Sequence, residues 1–512
     1  MFKKILVANR GEIAVRVMRT CREMGIPTVA VYSEPDATAL HTRYADEAFC
    51  IGPGPAPQSY LSAEKIIQVA RHTGADAIHP GYGFLSEQAD FAQACADAGI
   101  VFIGPPPAAM RLLGDKVEAR RIAREVGAPT VPGTPGKVSP ADARALAEEL
   151  GYPVLIKAAA GGGGRGIRLV EEPAALDAAL RVAASEAQSA FGDASLYVEK
   201  YLSPVRHIEV QILADRHGST LHLGERECSV QRRNQKLVEE SPSVAVDEGL
   251  RARLGAAAVA IARQAGFENA GTVEFLLDTA GNFYFMEVNA RLQVEHPVTE
   301  MVTGLDLVRE QIRIAAGEPL GYGQEDVRFN GWAMECRITA EDPFRAFMPN
   351  LGRIEFVSEP AGPGVRVDSC LFPGLEVPQF YDSLLAKAIA WGANRDEAVR
   401  RLQRALGEYL IVGVRTTIPF HSQLLEDLDF RAGAIHTRFL DERFAMRAPE
   451  SDGNEDVALI AAALLTHERR TNGAEASSGA AARQQNSDAW RMAGRIGAMG
   501  ARGGGGPWRN TR

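Results

Sequence analysis

The residues best suited to chemistry lie in Met-Glu-Val-Asn-Ala-Arg-Leu-Gln-Val-Glu-His-Pro (286–297), where Glu287, Asn289, Arg291, Gln293 and Glu295 occupy alternate positions. In an extended chain alternate side chains share a face, so carboxylates, amides and a guanidinium would stand in one row above an apolar underside. A solvated strand face is the plain alternative. Against it, Asn is a poor strand former, and the run Phe283-Tyr284-Phe285-Met286 just before is wholly apolar. Oxygen ligands two residues apart, Glu287 and Asn289, suit a hard cation such as magnesium, the usual companion of nucleotide phosphates. Thr272-Val273-Glu274-Phe275-Leu276-Leu277 places a lone carboxylate in an apolar run. A buried carboxylate is costly unless paired or metal-bound, which makes Glu274 a third candidate ligand.

Other segments point to phosphate. Gly161, Gly162, Gly163, Gly164, Arg165 and Gly166 separate two strand patterns and lack the Gly-Lys-Ser/Thr ending of a Walker loop. They read either as a glycine flap whose N–H groups close over phosphates or as a flexible linker. Lys157 ends the strand before them, and Lys116 is a further phosphate candidate. Glu199-Lys200-Tyr201-Leu202 is a strand entering a connection. His207-Ile208-Glu209-Val210-Gln211 again alternates polar with apolar residues. In 225–236, Arg232, Arg233 and Lys236 make a dense basic cluster able to fix an anion, or else an exposed run balanced by Glu239 and Glu240.

Elements to position these groups are readable. The first hundred residues alternate strand and helix signals: strands near 4–8, 28–32, 75–79 and 100–103, helices near 12–23, 63–72 and 87–98. That alternation implies a mostly parallel sheet flanked by helices. Residues 104–115, rich in Pro and Gly, read as a domain boundary. Helices are expected at 140–150, 174–190, 247–264, 396–406 and after Pro419, with strands at 153–158 and 167–170 and dominating 196–290. After about 448 the chain turns Ala/Gly/Ser-rich, with one helix near 457–468. At 512 residues the length suggests roughly three domains. The net charge of −9 excludes a duplex nucleic-acid binder. Six cysteines without paired spacing fit neither a disulfide framework nor a zinc site. No apolar run is long enough to span a membrane, and a cytoplasmic location is expected.

In this order the segments, with Ala-Asn-Arg-Gly-Glu-Ile-Ala (8–14), His-Pro-Gly-Tyr-Gly-Phe-Leu-Ser-Glu (79–87) and Tyr-Asp-Ser-Leu-Leu-Ala-Lys (381–387), resemble the biotin carboxylase family of ATP-grasp enzymes over about residues 1–445. The resemblance implies an α/β (α+β) ATP-grasp fold with a Rossmann-like parallel-sheet N-terminal domain (1–114) and an ATP-grasp domain (115–330). A mobile glycine-flap lid would span about 131–203, followed by a mixed α/β C-terminal domain (331–445) and a flexible extension (446–512). It assigns Lys116, Lys157, the 161–166 glycine flap, Glu199, Lys200, Leu202, His207, Gln231 and Leu276 to ATP. Glu274, Glu287 and Asn289 would hold magnesium (or manganese). Lys236, Arg291, Gln293 and Val294 would bind bicarbonate, with Glu295 as base. Arg337 would stabilise the biotin enolate and Tyr82 would lie beside the biotin ring.

The reaction so implied joins bicarbonate to biotin at the expense of ATP. Biotin would sit on a separate carrier protein that works with carboxyltransferase subunits, and a homodimer is expected. Lys387 is the last lysine of the sequence, and biotin is attached to a lysine, so no carrier domain is expected after the core. The resemblance implies a subunit of an acyl-CoA carboxylase, acetyl-CoA carboxylase first, with propionyl-CoA or pyruvate carboxylase as alternatives; Asn234, where many relatives have histidine, points weakly to a propionyl-type acceptor. The rivals are an ATP-grasp ligase joining a carboxylate to an amine, which Arg291, Glu295 and Arg337 disfavour, and a non-catalytic ATP-binding regulator.

Overall fold

The computed structural model describes residues 1–134, 140–158, 167–191 and 195–448, together with Ile460 and Leu464. The glycine segment 161–166 and nearly all of the expected 457–468 helix lie outside the described residues. No described helix is long and apolar enough to cross a membrane.

The opening alternation folds as a five-stranded sheet of β1 (Ile5–Val7), β2 (Thr28–Ser33), β3 (Glu47–Gly52), β4 (Ala77–His79) and β5 (Val101–Phe102), in order β3-β2-β1-β4-β5. All its pairings are parallel, and β1 is apolar and buried throughout, as a strand covered on both faces must be. Helices Gly11–Glu23, Ala63–Thr73 and Ala89–Asp97 make the crossovers. Within the boundary segment 104–115, Pro107–Gly114 is a helix. Proline at the first helical position gives up only an N–H that would be unpaired anyway, so here it starts a helix.

A three-stranded antiparallel sheet follows, β6 (Val154–Ala158), β7 (Ile167–Val170) and β8 (Leu196–Lys200) in order β7-β6-β8. The helices Pro140–Leu150 and Leu176–Phe191 share a core with it. The largest sheet has β9 (Val205–Ala214), β10 (Thr220–Arg232), β11 (Gln235–Ser241), β12 (Asn269–Asp278), β13 (Phe283–Asn289), β14 (Trp332–Thr339) and the strands Leu384–Gly392 and Val365–Ser369. Their order is β13-β12-β9-β10-β11-β14, then 384–392, then 365–369, with every neighbour antiparallel. Ile208, Val210, Ile212, Val273, Phe275 and Leu277 pack one face of it against Leu250, Leu254, Ala258 and Ile261 of helix Glu248–Gln264. Each such side chain contributes about 1.5–3 kcal/mol by burial. The alternate residues His207, Glu209, Gln211, Thr272 and Glu274 are thereby committed to the opposite face.

β13 reaches that face by an irregularity. Phe285 pairs with Phe275, but Glu287 pairs with Glu274: two steps on β13 against one on β12. This bulge reverses the phase of the strand, so Phe283 and Phe285 enter the apolar core while Glu287 and Asn289 turn to the polar side. A strand without it would place all four on one face.

The β10–β11 hairpin closes through Arg233 (φ 49°) and Asn234 (φ 65°), between Arg232 and its partner Gln235. Two successive positive φ angles match the right-handed twist of a hairpin, and Asn tolerates this conformation better than most residues. The predicted Arg232–Arg233–Lys236 cluster is therefore dispersed. Arg232 turns to the Ala346 carbonyl at 2.5 Å and over the Phe347 ring, Arg233 is exposed at the tip, and Lys236 points inward opposite Gln231. We expect Asn234→Gly to leave stability unchanged or raised and Asn234→Val to cost about 1–2 kcal/mol, measured by urea unfolding.

Candidate functional site

Register alone brings the polar groups of four strands into rows. Glu287 lies opposite Glu274, Glu274 opposite Glu209, and Glu209 opposite Arg226; the next row is Asn289, Thr272 and Gln211. Like charges directly opposite repel, so this arrangement demands cations. Arg226, with no exposure, donates from Nε to Glu209 at 2.5 Å and from its terminal nitrogens to Gln211 (2.8 Å), Thr299 (2.9 Å) and Thr272 (3.1 Å). Lys236 Nζ reaches Glu209 at 2.5 Å, Glu295 at 2.7 Å and Glu274 at 2.8 Å. His207 Nε2 lies 3.0 Å from Glu274. Burial would push the Glu274 carboxyl up, but Lys236 and His207 hold it well below the usual carboxylate range.

The regular strand stops at Asn289, and the polar alternation continues in a loop, as Pro297 favours. Ala290 and Leu292 are buried and Pro297 lies in the first turn of helix His296–Thr303; the backbone curls between them. Arg291 then spans the loop, bonding Gln293 (2.7 Å), Glu87 (2.9 Å) and the Asn289 oxygen (3.2 Å). Glu295 caps the helix in position, fully buried, and accepts from Lys236 and from Arg337 at 3.0 Å. Arg337 Nε donates to Glu239 at 2.7 Å. Burial would raise Glu295, yet Lys236, Arg337 and Arg226 hold it far below its ordinary range. Glu239, also buried and beside the negative Glu295, is pushed up to about 7 despite Arg337.

Around this centre lie the groups predicted for nucleotide. Lys116 opens a helix capped by the Asp115 side chain on Val117 N (2.8 Å) and stands 3.6 Å from Glu287. Lys157 and Arg120 both pair with the buried Glu199. Burial, with Lys116 and Arg120 close by, pulls Lys157 down to about 7. Lys200 bonds the Gly151 carbonyl at 2.8 Å and so holds the backbone beside its own sheet. Leu276 lies opposite His207, while Leu202 and Gln231 are half-buried. Tyr82 donates to Glu12, and the Val294 carbonyl accepts from Lys387 at 2.9 Å.

The donors fit a hard divalent cation. Glu274 stays anionic, Asn289 Nδ2 donates to it at 2.9 Å, and Glu287 faces it across the pair; carboxylate and amide oxygens are the ligands magnesium takes. Two further groupings, His207–Glu209–Glu274 and Glu209–Cys228–Glu295, have ligand atoms within 4.8 Å of one another. Burial raises the Cys228 thiol well above its ordinary value, which keeps it a poor ligand, and Lys236 already bridges Glu209 and Glu295. The site residues that sequence reasoning misses are Glu209, Arg226 and Glu239. Glu209 lies within the alternating 207–211 run, where nothing sets it apart, whereas Arg226 and Glu239 lie in charge-dense stretches that resemble solvated faces.

A carboxylate-lined antiparallel sheet joined to a three-stranded sheet in which Lys157 pairs with the buried Glu199 defines an ATP-grasp enzyme. Family models match consecutively: "Biotin carboxylase, N-terminal domain" at 1–110, "Carbamoyl-phosphate synthase L chain, ATP binding domain" at 115–322 and "Biotin carboxylase C-terminal domain" at 335–442. The chain is 54% identical over 443 residues to biotin carboxylase 1 of Bacillus subtilis, covering 86% of this chain and 98% of that protein. It is equally similar, 54% over 443 residues, to a pyruvate carboxylase subunit of Methanothermobacter thermautotrophicus, covering 86% and 90%. Among solved structures, the biotin carboxylase domain dimer of Hydrogenobacter thermophilus 2-oxoglutarate carboxylase, with MgADP, ADP and bicarbonate, superposes with a TM-score of 0.84 at 50% identity, covering 87% of this chain and all of that one. Biotin carboxylase of Campylobacter jejuni gives 0.85 at 47%, covering 86% and 99%. The chain belongs to the biotin carboxylase family.

Because Glu239 holds a proton to about pH 7 in the folded protein, against an ordinary glutamate range, its contribution favours the fold at low pH and is lost as pH rises through that value. Glu239→Gln removes the titration. The variant's melting temperature should therefore gain on the unsubstituted protein between about pH 5 and about pH 8, as scanning calorimetry would show.

Proposed function

We propose that this chain is a biotin carboxylase subunit that uses MgATP and bicarbonate to carboxylate biotin on a separate carrier protein, through carboxyphosphate, within an acyl-CoA carboxylase. The observation that carries it is Glu295 buried between Lys236 and Arg337, a carboxylate flanked by the cations that two successive substrates need. Glu274, Glu287 and Asn289 would hold the metal, which screens charge on the transferring phosphoryl group. Lys116, Lys157, Glu199, Lys200, Leu202, His207, Gln231 and Leu276 would hold ATP. Lys236, Arg291, Gln293 and the Val294 backbone would hold bicarbonate.

Glu295 in the free protein is a weak base, since three cations depress it. A bicarbonate anion drawing on Lys236 and Arg291 competes for that charge and lifts the carboxylate's basicity as the substrate arrives. Glu295 then takes the bicarbonate proton as the oxygen attacks the γ-phosphorus and ADP leaves. Carboxyphosphate breaks to carbon dioxide and phosphate; phosphate removes the ureido N–H proton of biotin, Arg337 donates to the negative ureido oxygen, and the ureido nitrogen bonds to the carbon dioxide. Tyr82 would flank the ring. The likeness both to biotin carboxylases and to one component of a pyruvate carboxylase supports acetyl-CoA as final acceptor no better than pyruvate, and Asn234 tilts weakly to a propionyl substrate. A homodimer, as in the similar 2-oxoglutarate carboxylase domain, and a cytoplasmic location belong to the same proposal.

The test is ATP hydrolysis with free biotin and bicarbonate; turnover indifferent to both would overturn the reading. Glu295→Ala should lower biotin-dependent kcat by about 10²-fold or more while calorimetric MgATP affinity stays near that of the unsubstituted chain, and loss of ATP binding would show the base misplaced.

A further inference from the structure

The Asn-Arg-Gly-Glu-Ile-Ala motif (9–14) supplies none of the metal, nucleotide or bicarbonate groups, yet its Glu12 is only 4% exposed. It accepts from the Tyr82 hydroxyl and stands 3.3 Å from Lys387 Nζ. Lys387, with no exposure, interrupts the buried apolar run Leu385, Ala386, Ala388, Ile389 and Ala390. Its ammonium donates to the Val294 carbonyl at 2.9 Å, lies 3.8 Å from Asp368, and sits 5.9 Å from the centroid of the Tyr82 ring.

Stability gives no reason for an ammonium at this position, because apolar residues of equal volume often do as well as a buried ion pair. Burial alone would discharge Lys387, but Glu12, Glu335 and Asp368 raise its affinity for the proton and keep it charged. A charged donor holds a carbonyl more firmly than a neutral one. The carbonyl it holds is on the loop between Arg291 and Glu295, and the partner that fixes it, Glu12, also fixes Tyr82.

We propose that Lys387, anchored by Glu12, is a positioning residue that sets the Val294 carbonyl and the Tyr82 ring in one frame, locking the bicarbonate and biotin subsites together. This rests on the assignment of Val294 and Tyr82 to those substrates and deepens it. Lys387 touches no substrate itself; it acts through the loop backbone and through the ring.

The test uses the full chain carrying Lys387→Met, assayed by ATP hydrolysis with bicarbonate and free biotin varied separately. The KM for bicarbonate and the KM for biotin should both rise about tenfold or more, small displacements of positioned groups being costly. MgATP affinity by calorimetry should stay within about twofold, since Lys387 contacts none of the nucleotide residues. A folded variant whose melting temperature falls while both KM values hold overturns the proposal, and so does a rise in one KM alone. Where Lys387→Met does not fold, Glu12→Gln decides, by a rise in both KM values of about threefold or their constancy. Absence of bicarbonate- and biotin-dependent turnover in the unsubstituted chain refutes instead the function on which the proposal rests.

Discussion

One buried ammonium, that of Lys236, holds together carboxylates from three distant parts of the chain: Glu209 on β9, Glu274 on β12 and Glu295 on the loop after β13. Without it those carboxylates would face one another in a water-poor sheet interior at a cost of several kcal/mol. The other features are conditions for that contact. The hairpin at Arg233–Asn234 places Lys236 opposite Gln231 and inward. Helix Glu248–Gln264 takes the apolar face of the sheet, so His207, Glu209 and Glu274 must share the other.

The β13 bulge belongs to the same logic. It lets one strand bury Phe283 and Phe285 and then, two residues later, offer Glu287 and Asn289 to the cation side. Arg226 closes the row and, through Thr299, ties it to the helix whose start Glu295 occupies. The same cations therefore order the carboxylates and keep Glu295 charged.

Much of this is legible in the residues alone. Glu274 stands out because a single charge in an apolar run has to be explained. The parallel N-terminal sheet follows from plain alternation of strand and helix signals. Lys387 carries the same signal as Glu274, a lone charge in Leu384–Ala390, but lysine so often extends to solvent that the signal is weak. Arg226 and Glu239 are hidden for the opposite reason: amid Glu225, Glu227 and Glu240 they read as surface. Only the strand pairing shows that alternate members of such a run face inward.

The sequence by itself determined the strand and helix alternation of the opening sheet, nominated residues for metal and phosphate, and carried the family resemblance. These follow from local periodicity and residue chemistry, which need no distant partner. It could not determine where the strand after Phe283 changes face, which of Arg232, Arg233 and Lys236 turns inward, or that Lys387 reaches Val294. Those depend on register between segments tens to hundreds of residues apart. A shift of one residue in register sends every side chain to the opposite face, and that choice is made by the packed sheet as a whole.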